Sequence, residues 1–297
     1  MSTYLFSYVK ALVSPVDYST TVEWKLVKGY KPVSATLNFY VEVARAGGDF
    51  TRLNPSAPVV NDFHYTDSIR YQYNIQNDIV YRVVMEDNGT SYASIPVQIG
   101  GPLSSQERNL VREISRRKYV QLVKRTGVRG YLLRARDWGT DCPNNDPDSE
   151  TPFTGECPLC YGGGILGGFF PAIEYWLEPA EKAGIERKTD GTTGTEMTHI
   201  SKWRCINYPA VFPDDLWVDA QTGDRYTVAP EYIPEVYIRS YPIMGIIAMT
   251  KLPPTSYLYN VPVGSGAATG TDGWTSGLAT IAARGQEQLT EPREVLF

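Results

Sequence analysis

Four cysteines carry the most specific chemistry in the chain: Cys142, Cys157, Cys160 and Cys205. Cys157-Pro158-Leu159-Cys160 runs directly into Tyr161-Gly162-Gly163-Gly164. Two thiolates on a tight turn make half of a zinc site, and the glycines let backbone approach the metal. A closed structural site needs four ligands. No second Cys-x-x-Cys exists, because the position three after Cys142 is Asn145. Cys205 is therefore the expected fourth ligand beside Cys142, Cys157 and Cys160, with His199 as the weaker substitute. Three states are open to these thiols: structural Zn2+ held by all four, a disulfide from Cys142 to one of the pair, or free buried thiols. An environment outside the cell favours the disulfide. A thioredoxin-like redox role is disfavoured, since the motif opens into a glycine-rich loop and not a helix. The stretch from Cys142 to Gly168 is otherwise a long loop with no core, and such loops need a staple.

Other chemistry is sparse. The chain has only 2 His. It has no P-loop, no Gly-x-Ser-x-Gly elbow and no His-Glu-x-x-His. His64 and His199 read as packing residues, and Asp214-Asp215 as turn residues ahead of a strand. The pattern predicts a structural or binding protein and no enzyme. One class stays open, a glycan or peptidoglycan hydrolase whose carboxylates only the fold brings together.

Charge is segregated. The chain of 297 residues has a formal net charge of -5, which does not suit a nucleic-acid binder as a whole. Residues 101–140 nevertheless hold ten Lys or Arg against three acids. Residues 141–160 hold five acids and no base. The bland reading is a solvated helix face beside an acidic loop. The sharper one is a subunit interface made by Arg108, Arg112, Arg116, Arg117, Lys118, Lys124 and Arg125, where charge complementarity fixes register and partner choice. DNA in a channel is a third, non-specific use of the same charge.

The elements that must position these groups are mostly strands. The balance of 21 Tyr, 21 Pro and 26 Gly favours strands and loops over helices. Residues 1–100 alternate apolar and polar positions at Val22–Leu26, Leu37–Val43 and Ile79–Met85, with further strands expected at Ile69–Tyr73 and Tyr92–Ile99. Asp87-Asn88-Gly89 is a hairpin signal. Together they predict a β-sandwich. Gly100-Gly101-Pro102 marks a boundary, and Ser104-Ser105-Gln106-Glu107 matches a capping box opening a basic helix at 106–124, with Gly127 as its stop. Residues 137–171 form the Cys loop. Strands return at Leu216–Asp219, Asp224–Val228, Glu235–Arg239 and Ile243–Leu252. Residues 264–297, rich in Gly, Ala, Thr and Ser, read as an extended arm ordered by another subunit. The predicted fold is mainly β with one notable helix, an α+β chain divided at 1–100, 101–263 and 264–297. No apolar run is long enough for a membrane span, and Met1-Ser2-Thr3-Tyr4 does not open a signal peptide.

Two resemblances add to this reading. With Trp24 on an early strand and Tyr81-Arg82-Val83 on a late one, residues 1–100 resemble a fibronectin type III or immunoglobulin-like domain. Asp137-Trp138-Gly139, Cys142, Cys157–Gly164, Gly167-Gly168-Phe169-Phe170-Pro171, and the block Asp215–Asp219 with Thr222-Gly223 and Arg225–Val228 resemble neck or head-to-tail connector proteins of tailed bacteriophages. The resemblance spans roughly residues 105–263. It implies a virion structural protein, assembled in the host cytoplasm as a homo-oligomeric ring or collar. Its implied partners are other neck, portal or tail proteins, and its sandwich would face outward. A baseplate or tail-hub component is the alternative within that class. A carbohydrate-binding adhesion module is the alternative outside it.

Overall fold

The computed structural model describes residues 5–17, 19–34, 36–45, 47–68, 79–99, 103–144, 157–180, 200–239 and 241–263, and the backbone alone at 184–190 and 194–199. The expected strand at Ile69–Tyr73, the acidic positions 146–156, Asn145 and the arm at 264–297 lie outside the described residues.

Among the described residues the fold is mainly β with a single α-helix. Nine strands come first: β1 (Phe6–Val13), β2 (Thr20–Leu26), β3 (Asn38–Arg45), β4 (Thr51–Arg52), β5 (Val59–Val60), β6 (His64–Asp67), β7 (Ile79–Asp87), β8 (Thr90–Ala93) and β9 (Val97–Gln98). They build a sandwich. One sheet has the order β1-β2-β6, the other β4-β3-β7-β8 with β5 on β3 and β9 on β7. Alternation in β3 and β7 turns Phe39, Val41, Tyr81, Val83 and Met85 inward, against Ala11, Val22, Trp24 and Leu26 of the facing sheet. Trp24 meets Phe39 with ring centroids 5.2 Å apart. The β7–β8 hairpin turns where the sequence signals it, with Asn88 at φ 47 and Gly89 at φ 81. The single strand expected over Tyr92–Ile99 is instead broken between β8 and β9, around Pro96, which has no N–H for the ladder.

The helix α1 (Ser105–Gln121) begins at a complete capping box. Ser104 Oγ accepts from Glu107 N–H, and the Glu107 carboxylate accepts from Ser104 N–H. A π-type turn, Leu122–Thr126, follows, and Gly127 ends it in an extended conformation. The remaining strands are β10 (Val128–Leu133), β11 (Ile173–Pro179), β12 (Gly184–Asp190), β13 (Gly194–Ile206), β14 (Leu216–Asp219), β15 (Arg225–Ile238) and β16 (Tyr241–Lys251). They run in the order β11-β10-β14-β15-β16-β13-β12. Pairing of Glu178 with Arg204 and Pro179 with Trp203 joins β11 to β13 and closes a six-stranded barrel. Leu132, Tyr175, Leu177, Cys205, Trp217, Val228, Ile247 and Met249 fill it. No helix among the described residues is long and apolar enough to cross a membrane.

Sandwich and barrel meet through buried charge. Arg134, just after β10, is 2% exposed. Its Nη1 lies 3.5 Å from Glu23 Oε2 on β2, and its Nε 4.0 Å from Asp215 Oδ2 before β14. Its Nη2 donates to Ala210 O, and its guanidinium stacks on Phe63 and Phe212. Asp215 also accepts from Ala135 N–H at 3.1 Å and Phe212 N–H at 2.9 Å. Thus Asp215 is more than the turn residue its sequence suggests. Burial pushes its carboxyl up to about 6 against the pull of Arg134, and burial raises Glu23 as well.

Two outcomes follow. Replacing Arg134 by Met strands two buried carboxylates and lowers stability by about 3–5 kcal/mol, read from denaturant midpoints. Because the folded-state value for Asp215 lies above the ordinary 3.8, the folded chain takes up that proton first. This group's contribution to stability therefore grows as pH falls from about 6 to about 4. Asp215→Asn removes that component, so the pH slope of the midpoint in this window shifts toward greater stability at higher pH. An unchanged slope would contradict the assignment.

Candidate metal centre

The Cys loop leaves the barrel at Arg134 and returns at β11. Its anchors are aromatic. Trp138 and Phe170 enter the sandwich core, with centroids 5.3 Å from Phe39 and 4.9 Å from Phe63, respectively. Between these anchors the chain folds on itself. Cys142 N–H donates to Gly164 O, Tyr161 N–H to Cys157 O, Gly163 N–H to Cys160 O and Gly167 N–H to Leu159 O. The close return needs glycine at 168, where φ is +61° and a Cβ would fall 2.7 Å from Cys160 O.

This folding brings three of the four predicted ligands together. Cys142, Cys157 and Cys160 are all buried, and their sulfurs lie within 4.8 Å of one another. Cys142 Sγ and Cys157 Sγ are 3.6 Å apart, a non-bonded contact and far from a disulfide of about 2.05 Å. Tetrahedral thiolates at about 2.3 Å from a metal are about 3.8 Å from each other, so the spacing fits a shared ion. The donor chemistry fits too. Backbone N–H groups of Leu159 and Cys160 and the Asn144 amide, 3.4 Å away, all point at Cys157 Sγ. Led by the Leu159 N–H, they hold the Cys157 thiol down at about 6, while burial first and its sulfur neighbours second push Cys142 up to about 11. Such N–H donors stabilise a thiolate that a cation would hold.

Cys205 is the correction. It points into the barrel core among Tyr175, Trp217 and Met249, and its thiol faces Gly245 O at 3.6 Å. Burial pushes it up to about 12, so it is a packed thiol. The reason lies in β13, whose alternation turns position 205 inward, away from the loop. His199 lies on β13, and its side chain is outside the described residues.

The basic residues are placed less uniformly than their sequence suggests. Arg108 is buried, and its Nε donates to Leu103 O at 2.8 Å. Arg112 lies half-buried near Val111, which faces the barrel. Arg116 and Arg117 pair with Glu113 one turn back. Lys118 is half-buried, and Lys124 and Arg125 are exposed on the π-type turn. The charged network around Arg134 was not legible as a site, because its members lie far apart in sequence; only the buried position of each could have signalled it. No protein-family model matches the chain, and no curated protein matches it in sequence.

Replacing any one of Cys142, Cys157 or Cys160 by Ser should abolish metal retention, measured by plasma mass spectrometry of dialysed protein. Cys205→Ser should leave metal content unchanged. Loss of metal in the Cys205 variant would reinstate it as a ligand.

Proposed function

We propose that the chain is a structural virion protein of a tailed phage, a homo-oligomeric ring or collar at the neck that works through subunit contacts. The observation that carries this reading is the staple-like organisation of the Cys loop. A long segment whose described residues form no strand is fixed by Trp138 and Phe170 at its ends and by three thiols between them. Such a loop is held for its shape and outer surface, as an assembly contact requires. Its sequence also carries part of the resemblance to connector proteins, which spans roughly residues 105–263. Zinc is the metal this reading assigns to Cys142, Cys157 and Cys160, since thiolates on tight turns with N–H donors suit it. When bound, it would supply a cross-link between the two arms of the loop.

Exposed Arg117 lies on α1 and exposed Lys124 and Arg125 on the π-type turn that follows it, while the sequence of 141–160 is rich in acids. Basic surface meeting a neighbour's acidic surface is a head-to-tail contact, and repeated head-to-tail contacts close into rings. Native mass spectrometry tests the proposal. A single closed oligomer with one zinc per chain is expected, and deletion of residues 264–297 should reduce it to monomers with an unchanged circular-dichroism melt. A chain that stays monomeric at its highest soluble concentration would overturn the ring. Normal assembly without 264–297 would remove the arm from it.

A further inference from the structure

The long strand β15 is bonded to β16 along most of its length but to β14 only at Arg225–Thr227. Val228 continues that side by bonds with Asp214 and Asp215. From Ala229 onward no described residue pairs with this edge. Pro230 to Glu235 are exposed without alternation, unlike a strand with one face in a core. Ile233 is 42% and Tyr237 61% exposed, and Leu110, on the neighbouring turns of α1, is 52% exposed.

This surface is held rigidly. The Tyr232 ring lies against Gly245 so closely that a Cβ there would fall 2.5 Å away. Val236 and Ile238 pack with Leu103, Val111 and Ile243. Arg239 Nε, just beyond the strand, binds Glu107 Oε1 at 2.6 Å. A fixed, open, apolar strand edge takes an extended peptide. Pro230 and Pro234 lack N–H groups, and Glu231 and Glu235 add charge, which blunts indiscriminate pairing. The selectivity of such an edge then falls on its aromatic and aliphatic side chains.

We propose that this edge of β15, with the adjoining face of α1, holds residues 264–297 of a second copy of the chain; the inference rests on the assembly reading above. Val263, the residue before that segment, packs on the cluster that Leu133, Leu216 and Val261 help to form. Residues 264–297 can span roughly 110 Å when extended, ample for reaching a neighbour. Their last third combines apolar Leu289 and Val295-Leu296-Phe297 with Glu287, Glu291 and Glu294. Its apolar residues complement the exposed Ile233, Tyr237 and Leu110, and its acids the exposed Arg117 of α1.

The test places the photoreactive residue p-benzoylphenylalanine at Tyr237 in the full chain and mixes 15N-labelled with unlabelled copies. Mixed-isotope cross-links to peptides from 264–297 are expected. Cross-links within one isotope only would mean that a chain binds its own segment, and would overturn the proposal. An oligomer that cross-links elsewhere, or not at all, overturns the docking site and leaves the assembly reading standing. A monomer without cross-links overturns both. Ile233→Lys should also weaken association about tenfold or more with an unchanged thermal melt, and unaltered association would count against the edge.

Discussion

A guanidinium buried between two carboxylates sets the arrangement of everything else. Arg134 reaches Glu23 in the sandwich and Asp215 in the barrel, and almost none of its surface meets water. Desolvating three charges is costly, and their mutual attraction repays that cost only in good geometry. The backbone supplies the rest: N–H groups of Ala135 and Phe212 hold Asp215, and Ala210 N–H approaches Glu23 at 3.4 Å. The outer face of β2 is polar for this reason, and the barrel docks there through this charge together with apolar contacts such as Ile173 against the sandwich core and Tyr8 on Phe212. Tyr208 Oη, 3.2 Å from Thr21 Oγ1, and Lys25 Nζ, 2.7 Å from Asp137, lie on the same seam.

The Cys loop depends on that seam. It departs from Arg134 itself, and Phe170 N–H returns to Arg134 O. With both ends tied to the seam, Trp138 and Phe170 complete the sandwich core, so the first hundred residues do not bury their interior alone. The three thiols then gather beside Tyr161, which packs on the cluster of Leu133, Ala172, Leu216, Val218 and Val261. A cross-link at that point secures the loop in the way small, core-poor folds are generally secured.

What faces outward follows from the same geometry. Barrel closure uses the short strand β14 and the last residues of β13, and among the described residues nothing pairs with the outer edge of β15 beyond Val228. The apolar side of α1 is used up against Ile243 and Val236, and its outer side is left to Arg117 and the lysines.

Local signals carried much of this. The capping box of α1, the Asn88-Gly89 hairpin, the Gly223 turn and the alternation in β2, β3 and β7 are all short-range, because each depends on neighbours a few residues away. The tight turn at Cys157-Pro158-Leu159-Cys160 was legible on the same ground. Long-range facts were not. Cys205 matched the ligand count but faces the barrel interior, because strand register and not residue type decides where a thiol points. Leu110 lies exposed while Arg108 is buried, the reverse of their polarity, because the side of α1 that packs on β16 is set by tertiary contacts. The sequence determined which segments turn, cap and alternate. Only the tertiary structure decided that Glu23, Arg134 and Asp215 would share one dry site, because burial and pairing of charge depend on chain packing across nearly two hundred residues.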